Sequence, residues 1–182
     1  GADTPLVLDT RGLQIDGIES EGQPARFTLG PNDPVLGSAL TIQVPATATT
    51  VLIHYQTTKD ASALQWLKPE QTAGKTHPFL FTQSQAIHAR SWIPLQDSPG
   101  ARITYTATVR APKGLRAVMS ADRVAEEADS DRFRFNMPQP IAPYLIALAV
   151  GDLAFQELGP RTGVFAEPSV LPRAHAEFTD TE

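Results

Sequence analysis

The side chains able to do chemistry in this chain are few, and their spacing excludes more than it suggests. There are four histidines, His54, His77, His88 and His175, and no cysteine. No two histidines stand four residues apart around a glutamate, the spacing that sets two imidazoles on one side of a zinc ion. Without cysteine there is no thiolate ligand, no disulfide and no cysteine nucleophile. A Gly-x-Ser-x-Gly elbow, a phosphate-cradling Gly-x-x-x-x-Gly-Lys and a Gly-x-Gly-x-x-Gly turn are also missing, which argues against a self-contained enzyme. His54 in a strand and His77 before Pro78 in a loop read as surface or hydrogen-bonded positions. Asp97, Asp122 and Asp152 fall at presumed exposed turns, where an aspartate bonds its own backbone rather than moving protons.

One polar cluster departs from its surroundings. Gln83-Ser84-Gln85 stands between the apolar runs Phe79-Leu80-Phe81 and Ala86-Ile87. In a strand, residues two apart share a face, so Gln83 and Gln85 project together. Paired amides offer carbonyl acceptors beside N–H donors without net charge, suited to a ligand's ammonium and its peptide groups. The same pattern fits a solvent-facing polar stripe.

The elements that would position these residues are strands. Sixteen prolines and twelve glycines cut the chain into short runs, most of them alternating with a period of two. In Ile103 to Val109 the threonines take one face and Ile103, Tyr105, Ala107 and Val109 the other. Ala25 to Leu29, Ala39 to Val44, Thr50 to Gln56 and Arg132 to Met137 read similarly. Tyr144 to Val150 is apolar on both faces and predicts a central strand. A Gly151-Asp152 turn then predicts a hairpin with Leu153 to Leu158. Helical expectations are confined to Ala61 to Leu67 and Arg173 to Glu182. Glu126 to Asp131 reads as a solvated acidic loop.

The formal net charge of −5 over 182 residues provides no basic field for a phosphate backbone, so nucleic acid is not an expected partner. The apolar stretch Ile141 to Val150 is about half of the roughly 20 residues a membrane helix needs, so no membrane span is expected. Compartment is left open by these observations.

Longer strings carry a resemblance. Ser62-Ala63-Leu64-Gln65-Trp66-Leu67, Pro69-Glu70-Gln71-Thr72 and His77-Pro78-Phe79-Leu80-Phe81 are followed by Gln83-Ser84-Gln85-Ala86-Ile87-His88 and Pro94-Leu95-Gln96-Asp97-Ser98-Pro99. In order and spacing they closely resemble the amino-terminal domain of the gluzincin zinc aminopeptidases, leukotriene A4 hydrolase and its bacterial relatives among them. The resemblance runs from Leu8-Asp9-Thr10 to Glu182. It implies an all-β, saddle-like domain over residues 1–158, and a linker with the start of a thermolysin-like catalytic domain over 159–182. It further implies a fragment incomplete at both ends, lacking the family's Gly-x-Met-Glu-Asn segment and zinc motif. On this reading the chain holds no catalytic residue and no metal ligand; zinc, the catalytic domain and a helical carboxy-terminal domain belong to the parent. Gln85 would hold the ammonium of a peptide substrate, Gln83 would contact its peptide portion, and Ala86 would bound the first side-chain pocket. Ser84 occupies a position where the leukotriene-hydrolysing member has cysteine, and epoxide hydrolysis by the parent is left undecided. The competing expectation is a free-standing β module that binds a peptide or protein without catalysis.

Overall fold

The computed structural model describes residues 3–124 and 131–181. Most of the chain is in short antiparallel strands, and the single α-helix among the described residues has eight residues. This all-β architecture is the one the period-two patterning predicts. The strands fall into two compact units, residues 1–64, 83–103 and 140–146 in one, and 65–82, 104–139 and 147–182 in the other.

In the first unit, β1 (Asp3–Thr10), β5 (Ser38–Pro45) and β4 (Phe27–Leu29) make one sheet in the order β1-β5-β4. A second sheet has the order β3-β2-β6, from β2 (Gln14–Ser20), β3 (Gln23–Pro24) and β6 (Val51–Gln56). Alternation dictates what they bury: Leu40 and Ile42 of β5, both at 0% exposure, join Ile18 of β2 in one apolar cluster with Leu6, Leu8, Phe27 and Ile53 around it. Register supports it, with Leu6 opposite Ile42 and Leu8 opposite Leu40. Between β4 and β5 the Asp33 carboxylate accepts the N–H groups of Val35 and Leu36, both at 2.7 Å. Those bonds hold its pKa below the ordinary carboxylate range. The loop closes on Gly37 at φ 79°, where a Cβ would stand 2.1 Å from the Thr10 carbonyl oxygen, so only glycine fits.

The second unit has a four-stranded sheet, order β10-β13-β8-β7, built from β7 (Leu64–Leu67), β8 (Phe79–Thr82), β10 (Arg116–Met119) and β13 (Leu148–Gly151). Another sheet, order β11-β12-β9, joins β9 (Ile103–Arg110), β11 (Asp122–Arg123) and β12 (Arg132–Ile141). Buried Ala111, Ala117, Phe133 and Phe135 form its core, packed by Ala107, Val109, Leu148 and Val150. A two-stranded ladder pairs β14 (Ala154–Glu157) with β15 (Gly163–Ala166), and α1 (Leu171–Phe178) follows. That ladder spans residue 158, with one strand on either side.

Several expectations are corrected. Ala61 to Leu67 is not helical: Ser62-Ala63 turns the chain and Leu64 to Leu67 become edge strand β7, since an apolar run this short suits either period. Tyr144 to Val150 is not one strand. Pro143 stands at the start of a 3₁₀ turn, Pro143–Leu145, where its fixed φ is at home, and the strand begins only at Leu148. The Gly151-Asp152 hairpin does not form either, because β13 lies between β10 and β8 while β14 pairs with β15. The carboxy-terminal helix begins at Leu171 and gives way at Thr179 to a 3₁₀ turn. Asp122 lies in strand β11, and Asp97, expected at an exposed turn, is 3% exposed. The acidic stretch from Glu126 lies outside the described residues up to Ser130.

Asp97 is buried because a cation is buried with it. Arg90, 6% exposed, donates from Nε to Asp97 Oδ2 (3.2 Å), from one terminal nitrogen to the Asp97 carbonyl (3.0 Å) and from the other to the Leu36 carbonyl (2.9 Å). Asp9 Oδ1 lies 3.6 Å from the guanidinium, and Asp9 Oδ2 accepts the Asp97 N–H at 2.9 Å. Removing one partner of such a pair strands the other in a low dielectric. Arg90→Leu is therefore expected to lose about 3–5 kcal/mol in urea denaturation. The exposed Arg110–Asp131 pair is the control, and Arg110→Ala is expected to cost under about 1 kcal/mol. Equal losses in the two variants would contradict the assignment.

Candidate functional site

The amide cluster does not lie in a strand. β8 ends at Thr82, Gln83-Ser84 is irregular, and Gln85 to His88 form a turn leading into a 3₁₀ segment, Ala89–Ser91. The expected strand therefore stops short of both glutamines, although Gln83 and Gln85 are exposed and Ser84 between them is buried at 3%. The peptide bond joining Gln85 to Ala86 is cis. Ala86 is exposed beside Gln85.

Ser84 holds the segment down. Its hydroxyl accepts the Trp92 indole N–H at 3.1 Å and faces the Ile146 carbonyl at 3.4 Å. Trp92, 9% exposed, and Ile146, 3% exposed, wall off that oxygen, so the small polar side chain is fully engaged underneath the two amides. Trp92 is held in turn, since its carbonyl accepts the Tyr55 phenol at 3.0 Å. Burial pushes the Tyr55 pKa up, keeping the phenol a neutral donor. Backbone bonds add to the frame: Gln83 N–H donates to the Ala63 carbonyl (2.8 Å) and His88 N–H to the Ser84 carbonyl (2.9 Å).

Of the histidines, His88 lies in this segment with Nδ1 2.7 Å from the Ser62 hydroxyl. His54 is in β6, 3.8 Å from Glu19. Among the described residues no three His, Cys, Asp or Glu side chains come together as a metal site requires. The zinc that the resemblance implies finds no ligand set there. Also among the described residues, no helix is long and apolar enough to cross a membrane. A pocket of about 330 Å³ is lined by Ser20, Gln23, Arg26 and Gln43 but by none of residues 83–88. The Ser20 oxygen at its wall is closed off and pairs with no described residue, so the pocket offers a visitor only exposed side chains.

Sequence reasoning singles out the amides but not what holds them. Ser84 reads as one more polar residue in a polar triplet, and no local pattern ties it to Trp92 eight residues on or to Ile146. Arg90 and Asp97 carry a faint signal, a charged pair seven residues apart flanking the apolar Trp92-Ile93. The pin itself is testable. Ser84→Val leaves the buried indole N–H without an acceptor and is expected to cost about 1–3 kcal/mol in thermal or urea unfolding. A loss below about 0.5 kcal/mol, the ordinary scatter of surface substitutions, would show that the pin holds nothing.

Comparisons with known proteins agree on one family. The family model for the peptidase M1 N-terminal domain matches residues 1–145. Leukotriene A-4 hydrolase from Xenopus laevis is 44% identical over 97% of this chain, which covers 31% of that protein. Leucine aminopeptidase 2 from Yarrowia lipolytica is 41% identical over 97% of the chain, covering 28% of its length. The solved yeast LTA4 hydrolase in complex with bestatin superposes with a TM-score of 0.90 at 36% identity, over 97% of this chain and 28% of that one. The M1 zinc metallopeptidase from Deinococcus radiodurans, 20% identical, shares the fold with a TM-score of 0.66 over 88% of the chain. The chain thus spans less than a third of the length of the curated relatives it matches. With the family model matching residues 1–145, this chain belongs to the peptidase M1 family, whose N-terminal domain it carries.

Proposed function

We propose that this domain supplies part of the substrate site of a zinc-dependent aminopeptidase, binding the free amino end of a peptide while chemistry is done by other parts of the parent protein. The observation that carries the reading is the exposed Gln83 and Gln85 on either side of the buried, engaged Ser84. An uncharged amide whose carbonyl oxygen is free to turn outward is a good acceptor for an ammonium group, and a second amide two residues away can meet a peptide N–H or C=O. In this reading Gln85 takes the ammonium, Gln83 the peptide portion, and Ala86 limits the space for the first side chain. Ser84 serves the same site from beneath, through Trp92 and Ile146. The relative named for leukotriene A4 is 44% identical to this chain over 31% of its own length.

The same reading takes residues 1–158 as the β domain and 159–182 as the passage into a catalytic domain that provides the zinc ligands. The β14–β15 ladder pairs residues on either side of residue 158.

A fixed amide that binds the ammonium equally in ground and transition states lowers KM without changing kcat. In the full-length enzyme Gln85→Ala is expected to raise KM and reduce kcat/KM for aminoacyl-4-nitroanilides by about 1.5–3 kcal/mol, the size of one charge-assisted hydrogen bond. Unchanged kinetics would remove Gln85 from the site.

A further inference from the structure

The two ends of the amide turn are fastened to two neighbouring residues, Ala63 and Ser62. On the entering side, Gln83 N–H donates to the Ala63 carbonyl. On the leaving side, His88 Nδ1 meets the Ser62 hydroxyl at 2.7 Å, across 26 residues of sequence. Ser91 closes the circuit: its hydroxyl donates to the His88 carbonyl at 2.7 Å and accepts the Ala63 N–H at 2.9 Å. Ala63 and Ser91 are each 0% exposed. Ser62-Ala63 is thus a platform, and the exposed Gln85 and Ala86 are strung between two attachments to it. Within the turn itself the backbone contributes one bond, His88 N–H to the Ser84 carbonyl. The ring-to-hydroxyl bond ties the leaving end of the turn to Ser62, as the Ser84 hydroxyl ties its entering end to Trp92.

We propose that His88 and Ser62 are positioning residues for substrate binding: their bond fixes the turn that carries Gln85, and so fixes where its amide meets the amino end of a peptide. The inference rests on the reading of Gln83 and Gln85 as substrate-binding groups. Neither residue needs to touch substrate. His88 spends its N–H, its carbonyl and Nδ1 on Ser84, Ser91 and Ser62. An amide pre-set in its bound position spares the ordering cost that a loose one meets on every encounter. Losing the clamp therefore weakens binding through Gln85 and leaves the chemical step alone.

The test is a double-mutant cycle in the full-length enzyme with aminoacyl-4-nitroanilides, reading KM and kcat separately. His88→Ala is expected to raise KM about as much as Gln85→Ala does, between roughly ten-fold and a hundred-fold, with kcat within about two-fold of the parent. The double variant should be no worse than Gln85→Ala alone, because the clamp acts through that amide. Asparagine can offer either an acceptor oxygen or a donor N–H near the place of Nδ1, so whichever way the bond to Ser62 runs, His88→Asn should restore KM to within about two-fold. Ser62→Ala should track His88→Ala, deleting the same bond from the other side, and stands in for it if the histidine variant does not fold. Unchanged KM in Ser62→Ala or His88→Ala beside a raised KM in Gln85→Ala overturns the proposal, as do losses that multiply in the double variant. A silent Gln85→Ala overturns the substrate-site reading itself, and is told apart by that single variant.

Discussion

A buried guanidinium orders the chain where it has no regular structure to order it. Between β8 and β9 the backbone runs through turns and one short 3₁₀ segment, with little of the repetitive bonding that satisfies a strand. Arg90 supplies what is missing: its donors reach Asp97 and the Leu36 carbonyl, and the Asp9 carboxylate stands alongside. Burying two charges is costly, and an apolar pair of the same shape can be as stable. What the ion pair provides is geometry, since planar guanidinium bonds accept few alternative arrangements. Asp9 and Leu95 also exchange backbone bonds, so the segment is tied to β1 through main chain and side chains together.

The same economy governs the segment's other end. Ser84 is small enough to be buried and polar enough to accept the Trp92 indole, and this one residue turns Gln83 and Gln85 into an exposed pair. The first unit therefore has two regimes. Apolar alternation holds β1 to β6 around Leu40, Ile42 and Ile18, while individually placed hydrogen bonds hold residues 83–97. Packing tolerates many sequences; a chain of specific bonds tolerates few. Three of the strings that carry the family resemblance, around Ser62-Ala63, Gln83 to His88 and Pro94 to Asp97, fall where the specific bonds are.

That division also decides how much of the fold and of the site is legible in the amino-acid sequence. Ile103 to Val109 is legible because threonine and apolar residues alternate without interruption, and β9 half-buries the predicted face while exposing the threonines. Arg132 to Met137 is legible for the same reason, with Phe133 and Phe135 in the core. Ala61 to Leu67 and Tyr144 to Val150 mislead because periodicity cannot separate a short buried run from a turn closed by tertiary partners. The amides stand out as polar residues in apolar surroundings. Their support does not, because Ser84–Ile146 and Ser62–His88 are contacts across 62 and 26 residues, and single-sequence patterns carry no signal at that range. Asp97 is misread for a related reason: its burial depends on Arg90, and a carboxylate's partner is invisible until the chain is folded.

On the proposed reading, Gln83 and Gln85 stand ready, in the absence of substrate, in the positions from which they would hold a peptide's amino end. A crystal structure of the full-length enzyme with a peptide-like inhibitor carrying a free amino group, beside one without it, tests this most directly. The account predicts the Gln85 amide oxygen within hydrogen-bond distance of the inhibitor's ammonium, with residues 83–88 superposing between the two structures. An inhibitor whose ammonium is held elsewhere, with both amides facing solvent, would contradict it.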